Sequence, residues 1–245
     1  MRQLGIAIAA LVAAGPALAA SPSPLVYLAD IDPSIVQDMR YAGDDNFTGK
    51  PLPGYAAAEC MLRVPVAEAL KRVQSALQPS GLTLKVYDCY RPVRAVQAMV
   101  AWVGDGKPGT ATRRYFPRTA KSALIRLGYI ASRSAHSLGT TVDLGLARIG
   151  ESVAAPPALG ACNGPPAERL KPGEVDMGTA FDCFDETSAT ASPAVAAEAA
   201  RNRATLVRAM KAEGFANYSR EWWHFSLSAA GATALDIVIA PRTRD

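Results

Sequence analysis

Only two histidines occur in this chain, His136 and His224, and each stands in a polar cluster whose residue types suit chemistry. The first cluster runs Ser134-Ala135-His136-Ser137-Leu138-Gly139-Thr140-Thr141-Val142-Asp143, and the second is Glu221-Trp222-Trp223-His224. Two imidazoles and a carboxylate form a three-ligand set for Zn²⁺ that leaves a fourth position open to water. Glu221 then suits a general base acting on that water. Histidines that only hydrogen-bond within a core or at the surface fit the same residues. Neither cluster has the H-E-x-x-H spacing by which one helix face presents two ligands. The candidate ligands must converge from segments roughly eighty residues apart, so spacing alone leaves both readings open.

The elements that would bring them together can be read from periodicity. An opening strand with an irregular approach is expected within 25–41, and 46–51 is a loop. Pro65 opens a helix with Val66, Leu70, Val73 and Leu77 on one face, stopped by Pro79-Ser80-Gly81. Leu82, Leu84 and Val86 alternate as in a strand, which delivers Asp88-Cys89-Tyr90-Arg91-Pro92 to its end. A second helix carries Val93, Val96, Val100 and Val103 and ends at Gly104, and 106–117 is a polar loop. Val142, Leu144 and Leu146 alternate again, so Asp143 points away from the face they bury. Residues 150–173 form a Pro-, Ala- and Gly-rich inserted loop. A long Ala-rich helix spans 193–213 and stops at Gly214. Residues 222–227 are β-prone, and 235–240 is expected as the last strand. Residues three apart on a strand face opposite sides, so Glu221 and His224 share a site only if Glu221 lies in the loop entering the strand or a bulge redirects it. Loop entry is the better fit, because 217–220 reads as irregular. The Trp222–Trp223 pair reads as core support behind the site, not as a sugar platform.

The N-terminus has the form of a secretory signal: Arg2, an apolar run from Leu4 to Val12, and the small-residue site Ala17-Leu18-Ala19. Cleavage is expected after Ala19, leaving residues 20–245 as one exported domain, periplasmic, with no membrane anchor. Losing Arg2 lowers the formal charge from +4 to +3, without the basic concentration that nucleic-acid binding needs. Four cysteines in an exported chain suggest disulfides, and four cysteines allow three pairings. Cys60–Cys89 with Cys162–Cys183 is favoured, since each pair encloses one compact stretch. The sequence carries no signal for an oligomeric state.

Together the motifs resemble the VanX-like D-alanyl-D-alanine dipeptidases, a branch of the zinc D,D-peptidases. The matching stretches are Tyr41 with Asp45-Asn46-Phe47-Thr48-Gly49-Lys50, Asp88 to Pro92, Ser134 to Asp143, Met177 to Asp182, and Glu221 to His224. The combination of D-N-F-T-G-K with E-W-W-H is specific, and the order agrees across roughly 25–241. The resemblance implies an α+β fold of the D,D-peptidase/hedgehog-like type, with helices packed on a small antiparallel sheet that holds one Zn²⁺ per chain. It implies His136, Asp143 and His224 as metal ligands, Glu221 as general acid and base, and Arg91 as the group stabilising the transition state. Ser134 corresponds to a residue near the substrate carboxylate, and Tyr41 and Asp182 to residues near its amino group. Asp88 is grouped with these substrate contacts and also suits orientation of Arg91. The implied activity is hydrolysis of the D-Ala-D-Ala dipeptide released from cell-wall material. The alternatives are a D,D-carboxypeptidase or peptidoglycan endopeptidase acting on longer stems, or a peptidoglycan-binding module without catalysis.

Overall fold

The computed structural model describes residues 24–109, 112–151 and 160–243. The expected signal segment, and 152–159 of the expected insertion, lie outside these residues.

The elements follow in chain order: β1 (Val26–Tyr27), α1 (Leu28–Ile31), β2 (Val36–Gln37), β3 (Met61–Leu62), α2 (Val64–Leu77), β4 (Leu82–Asp88) and α3 (Val93–Val103). Then come α4 (Thr112–Tyr115), β5 (Thr141–Arg148), α5 (Pro166–Arg169), α6 (Ala197–Ala212), β6 (Ala216–Asn217) and β7 (His224–Ser226). The main sheet has the order β2-β4-β5-β7-β6, and β1 and β3 form a separate antiparallel pair. This is the expected α+β architecture, with one difference: β2 pairs with β4 in parallel at the edge.

The apolar alternation places Leu84 opposite Leu146 and Val86 opposite Leu144. These four are fully buried, as are Leu70 and Val73 of α2 and Leu206 and Met210 of α6. β5 is buried along nearly its whole length, on both faces. The second face carries the polar row that builds the site.

Several expected elements take other forms. The opening strand over 25–41 breaks into two strands of two residues around α1, because Asp32 and Pro33 turn the chain. The 106–117 loop includes the single turn α4. The Ala-rich helix starts at Ala197 rather than Pro193, and Val195 in the approach packs against Gly178, where a Cβ would lie 2.7 Å from its Cγ1. Residues 235–240 are not a strand. Their amides are spread over separate partners, Leu235 N–H to Ser137 O, Ile237 N–H to Tyr90 Oη and Ile239 N–H to Gly54 O, leaving one isolated bridge between Ile239 and Tyr55. Both disulfides join the favoured pairs, Cys60–Cys89 and Cys162–Cys183. No helix among the described residues is long and apolar enough to cross a membrane.

Candidate metal and active site

Strand register brings three acidic and imidazole side chains into one row. Asp143 on β5 lies directly opposite His224 on β7 and opposite Asp88 at the end of β4. Directly opposed residues project to the same face of a sheet. Asp88 joins this row only because β4 bulges between Val86 and Asp88; the unshifted register would set it on the apolar face with Val142. Glu221 precedes β7 in a tight turn, the loop entry that the irregular 217–220 segment favours over a bulge. Its amide bonds Tyr218 O, and His224 N–H bonds Glu221 O. Asn217 clamps this turn from the side, its Nδ2 donating to the carbonyls of both Glu221 and His224.

His136 comes from outside the sheet, on a single 3-10 turn, Ala135–Leu138. Ser134 caps the turn by accepting His136 N–H, and Gly139 ends it at φ +70°. Glycine suits this left-handed position, where a Cβ would also press on Leu25 Cδ2. The Nδ1 of His136 lies 2.7 Å from the carbonyl of Cys89. A carbonyl can only accept, so Nδ1 carries the proton and Nε2 is left as a lone-pair donor facing the row.

His136 Nε2 is 3.3 Å from Asp143 Oδ2 and 3.4 Å from His224 Nδ1, and His224 Nδ1 is 3.1 Å from Asp143 Oδ1. Asp143 Oδ1 is buried and, despite that proximity, makes no well-directed hydrogen bond. Ligands held about 2.0–2.2 Å from a tetrahedral Zn²⁺ sit roughly 3.3–3.5 Å from one another. The donor set therefore fits a metal ion of that size. Glu221 Oε2 lies 3.6 Å from His224 Nδ1, beside the set.

Arg91 faces the same space. Its guanidinium is fixed by Asp88, with Nε and Nη2 at 2.9 and 2.8 Å from Oδ2, and Nη2 is 3.6 Å from Asp143 Oδ2. Its Cζ lies 5.0 Å from the centre of the Tyr41 ring. Tyr41 in turn donates its hydroxyl to Asp182 at 2.7 Å. Asp182 holds φ +57°, in the left-handed region that Asp tolerates better than most residues.

A cavity of about 230 Å³ opens onto these groups, lined by Tyr41, Arg91, Ser134, His136, Asp143, Asp182, Glu221 and His224, with Tyr129, Trp223 and Phe184 among its apolar walls. Eight of the nine residues singled out from sequence line it. Asp88 does not. It is fully buried behind Arg91, accepts the Tyr55 hydroxyl at 2.6 Å, and stands 3.3 Å from His136 Nδ1. It stands behind Arg91 and His136 and off the cavity wall. Sequence reasoning missed Asn217 and Arg133. Arg133 is exposed on the cavity wall and makes no ion pair among the described residues. It immediately precedes the Ser134 cap, the one signal that pointed to it. The Trp222–Trp223 pair is buried, and Trp222 donates its indole N–H to Thr179.

Burial dominates the electrostatics. It pushes Glu221 up to about 7, with the Asp143 charge adding to the effect and His224 opposing it. It also raises Asp182 well above the usual carboxylate range, again with Asp143 adding, against the Tyr41 hydrogen bond. Asp143 is buried as well, yet the adjoining imidazoles hold it below that range. Two carboxyls are thus poised to take a proton or meet a cation while a third stays ionised.

Residues 22–156 and 167–240 match the profile of the peptidase M15 family, described as D-ala-D-ala dipeptidase. The chain belongs to this family. Peptidase M15 is a metallopeptidase family, and the His136–Asp143–His224 cluster is the metal-competent group found among the described residues. A D-alanyl-D-alanine dipeptidase of Enterococcus faecium is 34% identical over 202 residues, covering 82% of this chain and 90% of that protein. One from Enterococcus faecalis is 35% identical over 191 residues, covering 78% and 84%. One from Escherichia coli is 34% identical over 212 residues, covering 86% and 88%.

Proposed function

We propose that this chain is an exported zinc dipeptidase, periplasmic, with residues 1–19 as its signal and 20–245 as one catalytic domain, hydrolysing D-alanyl-D-alanine. The observation that carries the reading is the pairing of a metal-competent donor set with a buried acidic group on one small cavity. The ligand atoms of His136, Asp143 and His224 lie within 4.8 Å of one another, and the hydrogen-bonded Tyr41–Asp182 pair lines the same cavity.

His136, Asp143 and His224 would hold Zn²⁺, which would supply Lewis-acid activation of water and of the peptide carbonyl. Glu221 takes the proton of the attacking water and returns it to the leaving amine. Its raised pKa suits both halves of that task. Arg91, held rigid by Asp88, donates to the charge developing on the carbonyl oxygen. Asp182 accepts the substrate ammonium, and Tyr41 keeps its carboxyl in place. Ser134 and Arg133 meet the substrate carboxylate at the opposite end.

A cavity near 230 Å³ falls below the roughly 300–1,000 Å³ of sites for drug-sized ligands, which suits a dipeptide. A carboxypeptidase or endopeptidase needs room for more peptide where Tyr41 and Asp182 stand. A binding module without catalysis has no use for a carboxyl beside a metal-competent set, and Glu221 occupies that place. The test is an assay of metal-analysed protein on D-Ala-D-Ala, its N-acetyl form and a stem pentapeptide. One zinc per chain is expected, with hydrolysis of the free dipeptide and little of the other two. Comparable rates on all three would reject the closed amino end in favour of a carboxypeptidase, and full activity without metal would reject the mechanism.

A further inference from the structure

The Cys60–Cys89 disulfide lies directly behind the ligand wall, with both residues fully buried. Cys89 acts there twice. Its sulfur is bonded to Cys60, and its carbonyl receives the His136 Nδ1 proton at 2.7 Å. An outer hydrogen bond of this kind fixes the tautomer and aim of a ligating imidazole.

Regular strand pairing does not hold that carbonyl. β4 ends at Asp88 after its bulge, and its other neighbour, β2, reaches only Lys85 and Val86. Residues 60–63 hold it instead. Besides the disulfide, Tyr90 N–H bonds Met61 O at 2.9 Å. The same short stretch then reaches the far side of the histidine, where Arg63 N–H bonds Gly139 O at 3.0 Å and Arg63 Nε bonds Leu138 O at 2.7 Å. It is itself anchored by Gln37 Oε1, which accepts Cys60 N–H at 2.7 Å, and by the β1–β3 pairing. One strap thus ties the carbonyl that aims His136 to the turn that carries His136.

We propose that the Cys60–Cys89 bond is a positioning element of the metal centre, setting the affinity of the folded protein for its metal; this rests on the metal reading above. A staple acting on the unfolded chain raises stability without changing what the folded site binds. A bond that holds the aiming carbonyl must change both. The molecule supplies its own control. Cys162–Cys183 closes a span of 21 residues against 29 for Cys60–Cys89, so unfolded-chain effects are similar. Among the described residues its backbone partners are Arg114 O, Ala180 N–H, Asp185 N–H and Ser188 Oγ, none of them on a ligand or on the strap.

The experiment compares Cys60→Ala/Cys89→Ala with Cys162→Ala/Cys183→Ala, each freed of metal and titrated with Zn²⁺ against a chromogenic chelator, alongside thermal melts. Both variants should melt earlier. The first should bind Zn²⁺ about 10–100-fold more weakly than wild type, the usual cost of disturbing an outer partner of a ligand, and the second should bind as wild type does. Wild-type affinity in the first variant, with only its melting point lowered, overturns the inference. Should that variant not fold, Cys60→Val/Cys89→Val fills the space of both sulfurs without joining them. Weakened Zn²⁺ binding in it supports the inference, and unchanged binding overturns it. A wild-type protein that takes up no Zn²⁺ would instead bring down the metal reading, and this inference with it.

Discussion

The two ends of the cavity are built by different means. The metal end rests on sheet register: Asp88, Asp143 and His224 stand in a row across three strands, and a short strap aims His136 at them. The amino end rests on irregular chain. Tyr41 sits on a 3-10 turn, and Asp182 holds a left-handed conformation within a loop tied by Cys162–Cys183. A ladder fixes its side chains through many shared hydrogen bonds. A loop depends on a few particular contacts, here the Tyr41–Asp182 bond and the ion pairs beneath it. In the proposed reading the chemistry belongs to the ladder-built end and the choice of substrate to the loop-built one, so changes at each end should be separable.

The largest separation is expected at Glu221. Glu221→Gln preserves shape and leaves His136, Asp143 and His224 in place, so Zn²⁺ content should stay near one per chain while turnover falls about 10²–10⁴-fold. The loss should be equal for every substrate tried, because the proton transfer is common to all. Metal analysis beside kcat measures both. Turnover close to wild type would remove Glu221 from proton transfer, and loss of metal would mean that it belongs to the ligand set.

Asp182→Asn tests the opposite end and should give the complementary pattern. Zn²⁺ binding should not change. The kcat/KM for D-Ala-D-Ala should drop about 10- to 100-fold, the scale of one hydrogen bond to a charged group. Activity on the N-acetyl dipeptide should stay as low as before, since the blocked amine never used that carboxyl. A parallel loss on both substrates would show that Asp182 only shapes the wall. The two ends would then not be independent.

The same contrast governs what could be read in the sequence. Strand parity, with the irregular look of 217–220, placed Glu221 in the loop before β7, and alternation alone turned Asp143 away from Val142, Leu144 and Leu146. Both rest on periodicities that any strand obeys. Orientation of Arg91 by Asp88 was legible, but its place off the cavity wall was not, because that depends on a one-residue bulge with no mark in the alternation of Leu82, Leu84 and Val86. Asn217 was invisible for a related reason: its value lies in two side-chain bonds to carbonyls four and seven residues ahead. The segment 235–240 has the composition of a strand, but its amides find separate partners, and composition does not say where partners will be. The D-N-F-T-G-K stretch was recognised as a signature without a mechanism. In the structure Asn46 Nδ2 bonds the carbonyls of Arg40, Gly43 and Lys50 while its Oδ1 accepts from Thr48, so one side chain folds the loop that follows Tyr41.

The smallest effect is expected from Asp45, which belongs to the footing of the amino end. Its carboxylate lies 2.8 Å from Arg40, 3.1 Å from Lys171 and 3.3 Å from Arg114, and accepts the Tyr115 hydroxyl at 2.9 Å. Burial alone would raise its pKa, but Arg40, Arg114 and Lys171 outweigh it and hold the group at about 2. A pKa below the unfolded value of about 3.9 means that the folded protein favours the ionised form. The stability this contributes is fully present above pH ~4 and is lost as pH falls through about 2. With 38% of the side chain exposed, solvent screens much of it, so a shift of a few degrees is the scale to look for. Asp45→Asn should therefore melt slightly below wild type at pH 7, and the gap should close between about pH 4 and pH 2, because wild type then loses the same charge. Zn²⁺ affinity should be untouched, since none of Asp45's partners is a metal ligand. A gap that holds constant down to pH 2 would assign the effect to packing rather than charge. Weakened Zn²⁺ binding in this variant would mean that the footing of the amino end also carries the metal, and the division between the two ends would fall.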